Sequence, residues 1–203
     1  MTEKIIIKAE RLTKQFGHFT ATDHITFEVR EGEIFGFLGA NGAGKTTAMR
    51  MLCGLSQPSD GWATVAGYDV ATQHEQVKQN IGYMSQKFSL YDDLTVEENF
   101  TLFGGIYGMS RKEMKEKTTR LLEELDFASE RKTKVKSLPL GWKQKLAFSL
   151  AIFHEPKIVF LDEPTGGVDP VTRRQFWELI YQAADRNITV FVTTHYMDEA
   201  EYC

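Results

Sequence analysis

The sequence predicts an α/β fold: a core with a mixed sheet, an antiparallel β subdomain and a mainly helical subdomain. Three observations predict it. Residues 34–38 (Ile34-Phe35-Gly36-Phe37-Leu38) form a short apolar run, followed by a glycine-rich loop and then by a helix-like stretch at 47–52. Residues 157–163 and 188–194 are further buried-strand patterns, with an amphipathic helical stretch at 171–184 between them. Strands alternating with helices give a parallel sheet. Residues 25–30 instead alternate apolar and polar side chains, which suits a half-exposed antiparallel strand.

The remaining elements follow in order. Residues 5–12 give a first strand, and Glu31-Gly32 turns the chain into the run at 34–38. A short strand at 61–67 is bounded by glycines, and another begins at Ile81. Thr95 and Glu98 have capping-box spacing for the next helix, which carries Phe100, Leu102, Phe103, Ile106 and Tyr107. Residues 111–127 form a charge-rich helix with Met114, Leu121, Leu122 and Leu125 on one face. Glu113/Lys117 and Glu116/Arg120 sit four residues apart on its surface. Residues 146–153 are helical and stop near Pro156. The expected division is 1–85 with 157–203 as core plus β subdomain, and 86–156 as the helical part.

The loop is Gly39-Ala40-Asn41-Gly42-Ala43-Gly44-Lys45-Thr46-Thr47, which fits G-x-x-x-x-G-K-[ST] at every position. Glycines let successive N–H groups turn inward, and the following helix adds its positive end. Such a loop holds the phosphates of a nucleoside triphosphate. Lys45 is placed to reach the outer phosphates, and the Thr46 hydroxyl to sit on Mg²⁺. Asp162 ends an apolar run and therefore sits at the C-terminal end of a strand, where ligands bind in such sheets. It can accept from Thr46 or from a metal-bound water. Glu163 projects differently and can orient or deprotonate an attacking water.

Gln86 lies at a strand end between the two motifs, His195 follows the last buried run, and Thr165-Gly166-Gly167-Val168-Asp169-Pro170 follows the acids. In this order the motifs closely resemble the ATP-binding subunit of ABC transporters, over nearly the whole chain. The resemblance implies ATP and Mg²⁺ as cofactors and ATP hydrolysis as the activity. It makes 39–47 the Walker A loop and Phe16 the aromatic residue stacked on adenine. Gln86 becomes the glutamine that contacts Mg²⁺ or the attacking water. Asp162 and Glu163 become the Walker B aspartate, on the metal, and the catalytic glutamate. Asp169 becomes the D-loop aspartate and His195 the histidine that senses the γ-phosphate. A core position for Phe16 is the competing reading.

The signature segment departs from the family. Leu-Ser-Gly-Gly-Gln is replaced by Leu138-Pro139-Leu140-Gly141-Trp142, with Gln144 and Leu146 fixing the frame. In the family this segment binds the γ-phosphate held by a second subunit, which here would fall to Leu138, Gly141 and the helix N-terminus. Pro139 has neither hydroxyl nor N–H, and Leu140 brings bulk. Gly141 keeps a bare amide, and Pro139 starts a helix well. Either this is the weakened half of an asymmetric dimer, or it is a variant working through Gly141 and the helix dipole; the intact remaining positions favour the variant. Trp142 either stacks on the neighbour or packs.

The 203 residues are 42 % hydrophobic, enough for one sizeable core, and the net charge of −4 gives no broad attraction to nucleic acid. Cys53 and Cys203 show neither metal nor disulfide spacing. No apolar stretch approaches the roughly 20 residues needed to span a bilayer. The expectation is a cytoplasmic, peripheral domain, without nucleic acid, that pairs with a second ATP-binding domain and docks on a membrane permease. Phe88, Leu90 and Tyr91 suit that docking or else seal the helical core. The wording of 83–99 resembles drug-exporter-like members. The chain ends early for this family and is expected to be part of a longer one. A ribosome- or DNA-directed ATPase and a non-hydrolysing regulatory subunit are the alternatives.

Overall fold

The computed structural model describes residues 4–203, apart from the side chains of Asp198 and Ala200. Four elements lead into the core: β1 (Ile5–Phe16), β2 (Phe19–Arg30), β3 (Ile34–Leu38) and α1 (Lys45–Leu52). Then come β4 (Asp60–Val65), β5 (Tyr68–Asp69), α2 (His74–Asn80) and β6 (Ile81–Met84). The helical stretch holds α3 (Val96–Ile106), α4 (Arg111–Glu124) and α5 (Leu140–Ala151). The chain closes through β7 (Ile158–Asp162), α6 (Pro170–Asp185), β8 (Thr189–Thr194) and 3-10 turns at Met197–Tyr202.

The two kinds of strand pairing do not share one mixed sheet. Antiparallel pairing is confined to β2-β1-β4-β5, and the core sheet, β3-β8-β7-β6, is parallel throughout. The reason lies in the strands. β1 and β2 are joined by a two-residue turn and pair along their whole length, so the hairpin satisfies itself. β7 and β8 are buried at every position and are linked through α6, as parallel strands covered on both faces must be.

α1 lies between the sheets, touching β1, β2 and β4 on one side and β7 on the other. Ile7, Leu12 and Val29 of the antiparallel sheet meet Met49, Met51 and Leu52 of α1, and the same core runs on to Phe160 and Phe191. Phe191 touches the rings of Phe27, Phe35, Phe37 and Phe160 at centroid distances of 5.3–5.9 Å. Burial of a side chain of this size contributes about 1.5–3 kcal/mol.

The helices α3, α4 and α5 share a core of their own around Phe100, Leu122, Leu146, Leu150 and Phe153. The Thr95–Glu98 capping box forms in both directions. Glu113 pairs with Lys117, whereas Arg120 turns towards Glu124 instead of Glu116. Several elements differ from the sequence pattern: β1 runs on to Phe16 rather than 12, β2 starts at Phe19 rather than 25, and α4 stops at Glu124 rather than 127. α5 begins at Leu140 rather than 146, because Pro139 sets its first turn. α2 shows no apolar periodicity, since Val77 is its one buried residue.

Register then positions the site. Leu38 lies opposite Thr194, Asp162 opposite Thr193, and Met84 opposite Leu161. The C-terminal ends of β3, β8, β7 and β6 are therefore level. Gly39, His195, Glu163 and, two residues further on, Gln86 emerge along one edge.

Candidate functional site

At that edge the loop between β3 and α1 curls back over the strands. Gly42 and Gly44 have φ of 81° and 83°, in the left-handed region. At Gly44 a Cβ would lie 1.9 Å from the Ala21 carbonyl oxygen, so only glycine lets the loop pass this close to β2. Lys45 is buried; its Nζ donates to the carbonyls of Gly39 (2.6 Å) and Ala40 (3.0 Å) and lies 3.2 Å from Glu163 Oε1.

The two acids take different surroundings. Asp162 is 2 % exposed, and its Oδ1 accepts from Thr46 Oγ1 (3.1 Å) and Thr193 Oγ1 (2.8 Å). Its charge is felt nearby. Burial and then Asp162 push the Tyr83 phenol up to about 12, and the same two causes raise the Cys53 thiol. Glu163 turns away because its own φ is 47°, an unusual value for a non-glycine residue and one that ends the strand. Its N–H bonds to the Thr193 hydroxyl and carbonyl, both at 3.1 Å. Its Oε2 accepts from Gln86 Nε2 (3.1 Å) and lies 3.3 Å from His195 Nδ1, which is not aligned for a hydrogen bond. The fold thus gathers Lys45, Thr46, Gln86, Asp162, Glu163 and His195 from four separate segments.

A cavity of about 330 Å³ opens above this group, lined by Gly42, Gly44, Lys45, Thr46, Thr47 and Glu163 together with Phe19 and Ala21. Its size suits a small ligand. Phe16 is not a core residue: it is 56 % exposed, pairs across the hairpin with Phe19, and carries Lys14 Nζ 5.3 Å above its ring. Phe19 is the aromatic side chain in the cavity wall. A larger cavity, about 520 Å³, lies at the other end of the strands beside Lys157 and Ile188. Its Lys117 and Arg186 are already paired, with Glu155 and Glu124, and it holds none of the motif residues.

The signature and D-loop residues form a second group. Asp169 caps α6, accepting from the Val171 and Thr172 amides and, at 2.6 Å, from the Thr172 hydroxyl. These Thr172 bonds hold its carboxyl below the usual range. Gly141 lies against Thr172: a Cβ there would meet Thr172 Cγ2 at 2.7 Å. Leu138 is expected at a bound nucleotide, but its side chain is 6 % exposed and fills the helical core. An apolar side chain beside that core gains more from burial than from a charged ligand. Trp142 packs edge-on against Phe127 at 4.6 Å, whereas Leu140 is exposed. Phe88 and Leu90 pack under α5 and α6, while Tyr91 is exposed and edge-on to Phe103.

Sequence reasoning missed Phe19 and Thr193, and read Gln144 only as fixing the frame of the signature segment. Gln144 is fully buried, and its Nε2 donates to the Pro164 carbonyl at 2.7 Å. Lys143 and Lys145 flank it, so no local pattern marked it as a buried polar side chain.

A glycine-rich loop at the head of a parallel sheet, with a lysine and a hydroxyl facing a strand-end aspartate, defines a P-loop nucleotide-binding domain. The family model described as ABC transporter matches residues 22–166, and the chain belongs to that family. It is 52 % identical over 198 residues to the probable multidrug ABC transporter ATP-binding protein YbhF of Escherichia coli, covering 98 % of this chain and 34 % of that protein. It is 36 % identical over 197 residues to the linearmycin resistance ATP-binding protein LnrL of Bacillus subtilis, covering 97 % of this chain and 63 % of the relative. The chain thus spans about a third of the first relative's length and under two thirds of the second's. A solved ATP-binding subunit of an ABC transporter superposes with a TM-score of 0.85 at 27 % identity, over 98 % of this chain and 83 % of that one.

Proposed function

We propose that this domain binds ATP with Mg²⁺ and hydrolyses it, and that the longer protein uses the cycle to drive export through a membrane permease. The observation that carries the reading is the convergence of Gln86, Glu163 and His195 beside Lys45 and Thr46. The loop amides and Lys45 take the phosphates, and the aromatic pair Phe16 and Phe19 faces the base. Thr46 and Asp162 would hold Mg²⁺, with Gln86 at its edge; two side chains that leave room for phosphate oxygens and water are a donor set this ion accepts. When bound, the ion offsets negative charge on the transferred phosphoryl group.

Glu163 takes a proton from water as the water oxygen bonds to the γ-phosphorus, and the bond to ADP breaks. Gln86 and His195 fix the carboxylate's direction. Gly141, the N-terminus of α5 and Asp169 face a second ATP-binding domain, in the same longer chain or another. Residues 1–85 and 157–203 act as core and β subdomain, and 86–156 as the helical subdomain, with Tyr91 towards the permease at the cytoplasmic face of the membrane. Among the described residues no helix is long and apolar enough to cross a membrane, so the spanning segments belong elsewhere. Relatives named for multidrug, linearmycin and bacitracin handling favour export of bulky drug-like compounds.

The test is Glu163→Gln in the full-length protein. ATP binding stays within about threefold, and turnover falls by about 10²–10⁴. Equal turnover in the two proteins would remove Glu163 from the chemistry.

A further inference from the structure

His195 is followed by a cluster that the reaction does not itself require. The Tyr196 ring lies against the His195 ring, tilted by 34° at a centroid distance of 4.1 Å. The Arg173 guanidinium lies 4.1 Å over the other aromatic partner, the Tyr196 ring. Arg173 Nε is 3.6 Å from Glu199 Oε1, and Glu199 is fully buried. The same oxygen accepts from Thr165 Oγ1 at 2.5 Å, two residues beyond Glu163. A carboxylate without solvent requires a charged partner, and Arg173 supplies it. A guanidinium stacked on a ring gives the ring a fixed plane, which an ammonium on a flexible stem does not. Arg173 stands in the first turns of α6, one residue after Thr172, which is bonded to the capping Asp169.

We propose that Arg173 is a positioning residue for His195. With Glu199 it forms a clamp that holds Tyr196, and through it the imidazole, against Glu163. The inference rests on the assignment of His195 to the hydrolytic site. It adds a route by which the position of the Asp169 turn is registered at His195, through Arg173 and Tyr196.

The test uses the full-length protein and reads turnover, ATP KM and nucleotide binding for Arg173→Ala, Arg173→Lys, Tyr196→Phe and His195→Ala. Arg173→Ala lowers kcat about tenfold with KM within about twofold, since it loosens a catalytic group and leaves the phosphate loop untouched. Tyr196→Phe keeps the ring and stays near wild type. Arg173→Lys keeps the charge beside Glu199, preserves folding and recovers only part of kcat. The deciding measurement is coupling: in the His195→Ala background, Arg173→Lys and Arg173→Ala cause no further loss. Full additivity of the two losses overturns the clamp while leaving the hydrolytic reading intact. A His195→Ala protein with wild-type turnover overturns both. Should Arg173→Ala fail to bind nucleotide at all, Arg173→Lys with unchanged kcat is the outcome that refutes the proposal.

Discussion

Thr193 is the residue on which the two acids meet, and its replacement separates two accounts of the site. Its hydroxyl donates to Asp162 at 2.8 Å and accepts the Glu163 N–H at 3.1 Å, with the side chain fully buried. Thr193→Val keeps the shape and the strand preference but removes both bonds. The Glu163 N–H retains the Thr193 carbonyl, and Asp162 retains Thr46, so the main loss is one hydrogen bond to a buried carboxylate. Such a bond is worth about 1.5–3 kcal/mol. In a domain of this size that lowers Tm by roughly 4–10 °C. Thr193→Ser keeps the hydroxyl and loses one methyl, about 1 kcal/mol. The expected order of stability is therefore wild type, then Ser, then Val, in thermal or urea unfolding. If the hydroxyl did nothing, Val would equal wild type and Ser would be the weakest. That inverted order would refute the hydrogen-bond account.

Three other outcomes follow from the same geometry. Gly141→Ala drives a Cβ onto Thr172 Cγ2 and destabilises the α5–α6 contact by about 1–3 kcal/mol. Thr172→Ser, which removes that methyl and keeps the hydroxyl on Asp169, restores the loss in unfolding measurements. His154 is pushed down from 6.5 to about 4 by burial, and it stacks on Tyr107 at 3.6 Å. A base whose folded pKa is depressed stabilises the fold above its unfolded pKa and loses that contribution as pH falls. The unfolding free energy of wild type therefore drops between pH 6.5 and 4 relative to His154→Phe, and equal pH profiles would contradict this. Glu163→Gln in the full-length protein separates nucleotide binding from turnover, as set out above.

What could be read from the sequence was what is contiguous in it. The loop from Gly39 to Thr47, the Thr95–Glu98 box and the apolar runs of β7 and β8 are local patterns, and each forms as expected. The hidden parts depend on segments far apart in the chain. Thr193 meets Asp162 across 31 residues and Gln144 meets Pro164 across 20, through strand register and helix packing that no local pattern states. Phe16 and Phe19 both stand in a hairpin, and sequence could not decide which ring faces the loop. Leu138 was assigned by motif position, yet the nearby core of Val96, Phe100 and Leu146 takes its side chain.

The bond between Gln144 and the Pro164 carbonyl has a mechanical consequence. It is a 2.7 Å strut from the helical lobe to the residue next to Glu163, and it is buried at both ends. A rotation of α5 cannot leave the Glu163 backbone in place unless the strut breaks or α5 bends. Glu163 already sits at φ 47°, a sparsely populated region for a non-glycine residue that persists only where the surroundings hold it, and the strut is one of those holds. The helical lobe is thus a crank on the acid, and the position of α5 sets its throw.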